Sequence, residues 1–177
     1  MPWLPHTAGT TTAALVELID LLPTMSDLAG LPHPVVHPGE APLDGASQIA
    51  LFGPTPPASV NSHVLTQHPR CPTTPALGLW DHNLCIEVPA AKFGWMGYSL
   101  RTDRWRYTAW FPWNGTALAP VVKPGPPANG TRGFYCELYG YPAGAPAAID
   151  DLDLVEMGPA NPDVVATLHN VLVGLIR

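Results

Sequence analysis

Apolar residues along this chain gather into a few short patterned stretches, set apart by proline-rich segments. In Ala13–Leu31, Leu15, Leu18, Ile19 and Leu22 recur at helical spacing, although Val16–Leu22 also suits a buried strand. Pro23 breaks that run and fits the first turn of a new helix over Thr24–Ala29, which Gly30 stops. Pro32 to Pro57 reads as loop, because its prolines forbid regular ladders. Val60–Gln67 forms one short strand with Val60, Val64 and Leu65 as its apolar members, and Pro69 to Pro89 is loop again. Met96–Trp110 reads as a hairpin. Met96, Tyr98 and Leu100 alternate on one face, the chain turns at Thr102-Asp103, and Trp105, Tyr107 and Ala109 alternate after it. Pro112 to Gly133 is irregular, and Phe134–Tyr139 makes a third strand.

The final element carries the most complete set of helix signals. Asn161 suits the N-cap, Pro162 the first helical position, and Asp163 complements the helix dipole. Val164, Leu168, Val171, Leu172 and Leu175 then form an apolar stripe at i, i+4, i+7, i+8 and i+11. The simplest way to bury both apolar surfaces is an α+β arrangement: a small antiparallel sheet with this C-terminal helix packed across one face.

Composition narrows the functional classes. Charged residues make up 12% of the 177 residues, against roughly a quarter in ordinary soluble domains. Proline appears 23 times and tryptophan six times. Such a surface suits either a partner or neighbouring domain on exposed apolar area, or a Pro/Ala-rich compositional bias. A net charge of −6 argues against nucleic acid as the main partner, since phosphate binding needs a basic field. No apolar run reaches the roughly eighteen residues of a membrane span, and the Met1–His6 terminus lacks the features of a signal peptide. Cys71, Cys85 and Cys136 match no zinc spacing, and their disulfide pairing stays open. Asn114-Gly115-Thr116 and Asn129-Gly130-Thr131 are glycosylation sequons.

Several blocks together resemble a known family. The first is Val16-Glu17-Leu18-Ile19-Asp20-Leu21-Leu22-Pro23-Thr24 running on to Asp27-Leu28-Ala29-Gly30-Leu31, followed by Leu43-Asp44-Gly45. Next come Val64-Leu65-Thr66-Gln67-His68-Pro69-Arg70 and the hairpin Met96-Gly97-Tyr98-Ser99-Leu100-Arg101-Thr102-Asp103-Arg104-Trp105-Arg106-Tyr107-Thr108, with Trp110 after it. Glu137-Leu138-Tyr139 completes the series. In this order they resemble the C-terminal portion of sulfatases of the iduronate-2-sulfatase type. Gly140, the run Ile149–Val155 and the Pro/Gly-rich stretch after Trp113 depart from the family pattern.

The resemblance implies that residues 1–57 are the end of the catalytic core region and its loop, a helical segment left over from an alkaline-phosphatase-like α/β core. Residues 58–177 would form the C-terminal subdomain. It implies a sulfuric ester hydrolase acting on sulfated sugars, secreted or lysosomal, with a formylglycine nucleophile and calcium in the complete enzyme. The nucleophile needs a Cys-x-Pro-x-Arg setting, which Cys71-Pro72-Thr73-Thr74-Pro75 fails, and the family's calcium ligands precede the Val16 motif. This chain is therefore expected to carry no catalytic or metal residue, to hold no cofactor, and to need an N-terminal catalytic domain as its partner. The alternatives are a non-catalytic module that binds anionic glycans, or a truncated gene product without independent function.

Asp81-His82 reads as a surface pair, and His6, His33, His37, His63 and His169 lack zinc-helix spacing. Substrate contact is expected at Gln67, His68 and Arg70, which end a strand near the active-site mouth by resemblance, and at Arg101 and Arg104. Arg101, Arg104 and Arg106 crowd one hairpin turn; guanidinium groups bind carboxylate or sulfate in a bidentate fork. The other reading is a solvated face with Asp103 as local ion partner, or a bridge to the catalytic domain.

Overall fold

The computed structural model describes residues 4, 7–34, 36–71, 85, 88–122, 125–126, 135–141 and 157–176. They fall into two compact units that meet in the chain between Val64 and Leu65. Among them, no helix is long and apolar enough to cross a membrane.

The first unit is held around one buried carboxylate. A 3-10 turn over Leu18–Asp20 leads directly into helix α1, Leu21–Ala29. Val16–Leu22 is therefore neither one continuous helix nor a strand. Pro23 sits inside the first turn of α1, where a missing N–H costs nothing. Gly30 ends the helix at φ 66°, and its N–H and that of Leu31 close back onto Asp27 and Ser26. Asp20 is 1% exposed. Its Oδ1 accepts the Ala46 N–H at 2.8 Å, and its Oδ2 accepts Glu17 N–H at 2.9 Å, Gln48 Nε2 at 3.0 Å and Asn61 Nδ2 at 2.8 Å. Gly45 lies so close that a Cβ there would stand 2.1 Å from the Ile19 carbonyl oxygen. Within the expected loop, Ile49–Phe52 adds a further 3-10 turn. The apolar face of the first motif is largely open: Leu18 is 85% exposed, and Val16, Ile19, Leu21, Leu22 and Met25 are also exposed.

The second unit is the expected α+β arrangement, a five-stranded antiparallel sheet with a C-terminal helix. Its strands are β1 (Val64–Arg70), β2 (Trp95–Arg101), β3 (Trp105–Asn114), β4 (Ala119–Pro120) and β5 (Tyr135–Gly140). β1 lies at the edge beside β2, β2 pairs with β3, and β3 pairs with both β4 and β5. The edge position is compatible with Pro69 inside a strand, because only one side of an edge strand is hydrogen-bonded. β3 continues through Pro112, opposite Trp95, into a region that reads as irregular from its prolines.

One face of this sheet is the core. Met96, Tyr98 and Leu100 on β2, Tyr107, Ala109 and Phe111 on β3, and Cys136 and Leu138 on β5 pack against helix α2, Pro162–Leu175. The buried residues of α2 are Val165, Leu168, His169, Leu172 and Val173. That is the expected stripe rotated: Leu168 and Leu172 are buried, whereas Val171 and Leu175 are exposed. Asn161 stands at the N-cap position, but its side chain bonds the Met157 carbonyl instead of capping the helix. Gly140 has a local reason: a Cβ there would meet Met157 Sδ at 2.9 Å and the Trp105 ring at 3.1 Å. Cys71 and Cys85 form a disulfide, and Cys136 is buried on β5 outside it.

Candidate functional site

Strand alternation decides what stands on the opposite face of the sheet. With Tyr98, Leu100, Tyr107 and Ala109 turned into the core, Gly97, Ser99 and Arg101 of β2 and Arg106, Thr108 and Trp110 of β3 must point the other way. Tyr135, Glu137 and Tyr139 of β5 share that face, since Cys136 and Leu138 are core. The register arranges them in three rows: Gly97–Trp110–Tyr135, Ser99–Thr108–Glu137 and Arg101–Arg106–Tyr139.

Each row has its own character. In the first, the Trp110 indole lies over Gly97, where a Cβ would come within 2.6 Å of the ring. The glycine is required by this close approach. Arg70, at the end of β1, places its guanidinium 4.5 Å from the Trp110 ring centroid. Tyr135 beside it is 60% exposed. In the middle row, the Thr108 hydroxyl donates to Ser99 Oγ at 3.0 Å, and the exposed Glu137 accepts the Tyr139 hydroxyl at 3.2 Å.

The third row is the most unusual. Arg101 and Arg106 are direct cross-strand partners, so two like charges face each other. Tyrosines compensate in part. Arg101 lies 3.6 Å from the Tyr141 ring centroid and donates to the Thr102 carbonyl. Arg106 lies 5.1 Å from Tyr139 and 6.0 Å from Tyr141. Burial lowers the Arg101 pKa below the ordinary arginine value and Arg106 lowers it further, while Tyr141 and Asp103 oppose the shift. The group stays protonated, as arginine does in proteins. Asp103 forms no salt bridge with either arginine; the one such pair among the described residues is His33–Asp27. The expectation that Asp103 serves as their local ion partner is corrected: it acts at a distance only.

The expected contact residues divide. Arg70 and Arg101 reach this face, and His68 shares the Arg70 side of β1 by alternation. Gln67 falls on the Leu65 side of that strand. Arg104 sits exposed in the hairpin turn, where its carbonyl accepts the Tyr141 N–H at 2.8 Å. Reading the sequence misses Trp110, Glu137, Tyr139 and Tyr141 as members of the face, and it leaves Arg106 outside the contact set. The i/i+2 alternation of Glu137 and Tyr139 was the available signal, once Leu138 was assigned to the core.

Asn114 ends β3 in an exposed turn, its Oδ1 accepting the N–H groups of Thr116 and Ala117 at 3.0 Å. Asn129, His6, Asp81, His82 and the Pro72–Pro75 run lie outside the described residues. His169 belongs to the core, bonded to Tyr107. Among the described residues no three His, Cys, Asp or Glu side chains cluster as a metal site.

The first unit contains a cavity of about 540 Å³ walled by threonines, Leu21, Leu51, Phe52 and Gln48. The Asp20 carboxylate on its wall is already engaged by four donors. Chemically, the cavity offers hydrogen-bonding and apolar contact, whereas the sheet face offers paired cations with aromatic surface. No model of a known protein family matches the chain, and no curated protein matches it either.

Proposed function

We propose that this chain is the C-terminal part of a sulfuric ester hydrolase of the iduronate-2-sulfatase type, acting on sulfated sugars together with an N-terminal catalytic domain. One observation carries the reading. Two of the resembling blocks, Val16–Leu31 and the Asp44-Gly45 loop, close on a single point: Gly45 presses on the Ile19 backbone while Ala46 donates to Asp20. The blocks thus meet in one local arrangement, which supports reading them as parts of a single motif.

Two further features support it. The open apolar side of that first motif suits the surface of a larger core, because exposed contiguous apolar area marks a contact. The Cys71–Cys85 disulfide and the exposed Asn114 sequon suit an oxidising, secretory compartment. Among the described residues no cluster of candidate ligands offers a site for the calcium implied for a complete enzyme.

The nucleotide sequence upstream of the Met1 codon is the test. An in-frame stretch encoding Cys-x-Pro-x-Arg is the expected result. A frame closed at once by stop codons would overturn the reading. The second reading is a non-catalytic module for anionic glycans, and the cross-strand Arg101–Arg106 pair, stacked on tyrosines, favours it.

A further inference from the structure

Two guanidinium groups set directly opposite each other on neighbouring strands repel, and the fold keeps both. No carboxylate among the described residues pairs with either, and the stacked tyrosines hold the two planar groups without neutralising them. Two cations so placed suit an anion with several acceptor oxygens. Guanidinium is the cation best shaped for one, through two parallel N–H donors.

The rest of the face narrows the kind of anion. From Arg106 to Trp110 the strand covers roughly 13 Å, four residues at about 3.3 Å each. The Ser99–Thr108–Glu137 row lies between, followed by the aromatic Trp110 and Tyr135. Glu137, a carboxylate in the middle of the track, opposes a second anionic group there. It suits a ligand that has hydroxyl donors next to its anionic group.

We propose that Arg101 and Arg106, framed by Tyr139 and Tyr141, bind the sulfate or carboxylate group of an acidic oligosaccharide. The adjoining sugar donates hydroxyls to Glu137 and extends toward Trp110 and Tyr135. This deepens the sulfated-sugar reading of the preceding subsection by assigning its anionic subsite, and it rests on that reading for biological context only.

Isothermal titration of the full chain tests it with three probes: a heparin-derived oligosaccharide, the same oligosaccharide desulfated and carboxyl-reduced, and single-stranded DNA of equal charge. The acidic saccharide is expected to bind at least about tenfold more tightly than either of the others. Arg101→Gln with Arg106→Gln is expected to remove that preference while the melting temperature holds. Equal binding of acidic and neutral saccharide, or no binding, overturns the subsite. Tighter binding of DNA overturns the saccharide class. Should the double variant fail to fold, the three-probe comparison on the unmodified chain still decides. Loss of the sulfatase reading through a closed upstream frame would leave a positive titration standing, so the two failures are distinguishable.

Discussion

The phenol oxygen of Tyr107 lies 2.9 Å from Nδ1 of His169, and this contact joins β3 to α2 inside the core. Both side chains are at most 1% exposed. A buried hydroxyl or imidazole is costly unless it is hydrogen-bonded, and here each supplies a partner for the other. The pair explains why a histidine occupies a buried position of the final helix. It also fixes the rotation of that helix, because His169 reaches Tyr107 only if Leu168 and Leu172 flank it.

The pair predicts a specific alkaline sensitivity. Burial pushes the Tyr107 phenol above its ordinary value near 10, with Cys136 adding to the shift. Tyr98 is raised by burial as well. Folding therefore favours the neutral phenols, so the stabilisation is complete below about pH 10 and is lost as pH rises beyond it. Urea midpoints should hold steady up to that pH and then fall. Tyr107→Phe, which takes this partner from the buried His169 Nδ1, should cost about 1–3 kcal/mol at neutral pH and flatten the alkaline decline. An unchanged decline in the variant would remove Tyr107 as its cause.

Leu172 and Val171 are neighbours on α2 with opposite fates, fully buried and 40% exposed. Leu172→Ala should destabilise by roughly 2–5 kcal/mol, and Val171→Ala by no more than about 0.5 kcal/mol. Chemical denaturation of the two variants would reveal the rotation of the helix. Similar losses at both positions would mean that the buried face is assigned wrongly.

The hairpin was readable because period-two alternation puts Tyr98 and Leu100 on one face and Ser99 and Arg101 on the other. One buried face is enough to impose that pattern. The helix was readable as a helix, and its rotation was not. Hydrophobicity ranks Val171 and Leu175 above His169, yet a hydrogen bond to Tyr107 makes the histidine the better core residue. Pro112 concealed the last part of β3. The candidate face was legible through His68, Arg70 and Arg101, with Arg106 noted only at the hairpin turn, whereas Tyr139 joins it through the pairing of β3 with β5. Register depends on pairing between segments far apart in the chain, which local pattern does not encode.

Asp20 supports a prediction for the first unit. Its carboxylate accepts four hydrogen bonds from three chain segments. Asp20→Ala would remove the acceptor shared by four donors, of which Gln48 Nε2 is buried, at about 1–3 kcal/mol for each group left buried and unsatisfied. Limited proteolysis should therefore cut the variant between Leu15 and Asn61 well before the parent chain. Equal resistance would show that those donors find other partners.

On the proposed function, the chain alone should not hydrolyse a chromogenic aryl sulfate in the presence of calcium. The expected nucleophile motif is not met at Cys71-Pro72-Thr73-Thr74-Pro75, where proline follows the cysteine directly and Pro75 stands in the arginine position. Turnover above blank that EDTA abolishes would mean that a catalytic centre exists within these residues, and the non-catalytic assignment would fall.

The last prediction concerns the open apolar side of the first motif. Leu18 is 85% exposed, and Ile19, Leu21 and Leu22 are each at least half exposed. Burying one such side chain is worth about 1.5–3 kcal/mol, so four left in water forgo a sum comparable to a typical ~5–15 kcal/mol stability. Two consequences follow together. Amides of Val16–Leu31 should exchange faster than those of Met96–Trp110, whose strands are locked between neighbours with a buried face. The chain should also associate as its concentration rises, because association recovers the missing burial. Leu18→Glu should weaken that association while changing folding stability by no more than about 0.5 kcal/mol, as a surface substitution does. Sedimentation velocity with hydrogen exchange on the same samples would check both. A monomer at high concentration, with Val16–Leu31 protected as well as the hairpin, would mean that this segment needs no neighbour, and the reading of the chain as one part of a larger enzyme would lose its physical support.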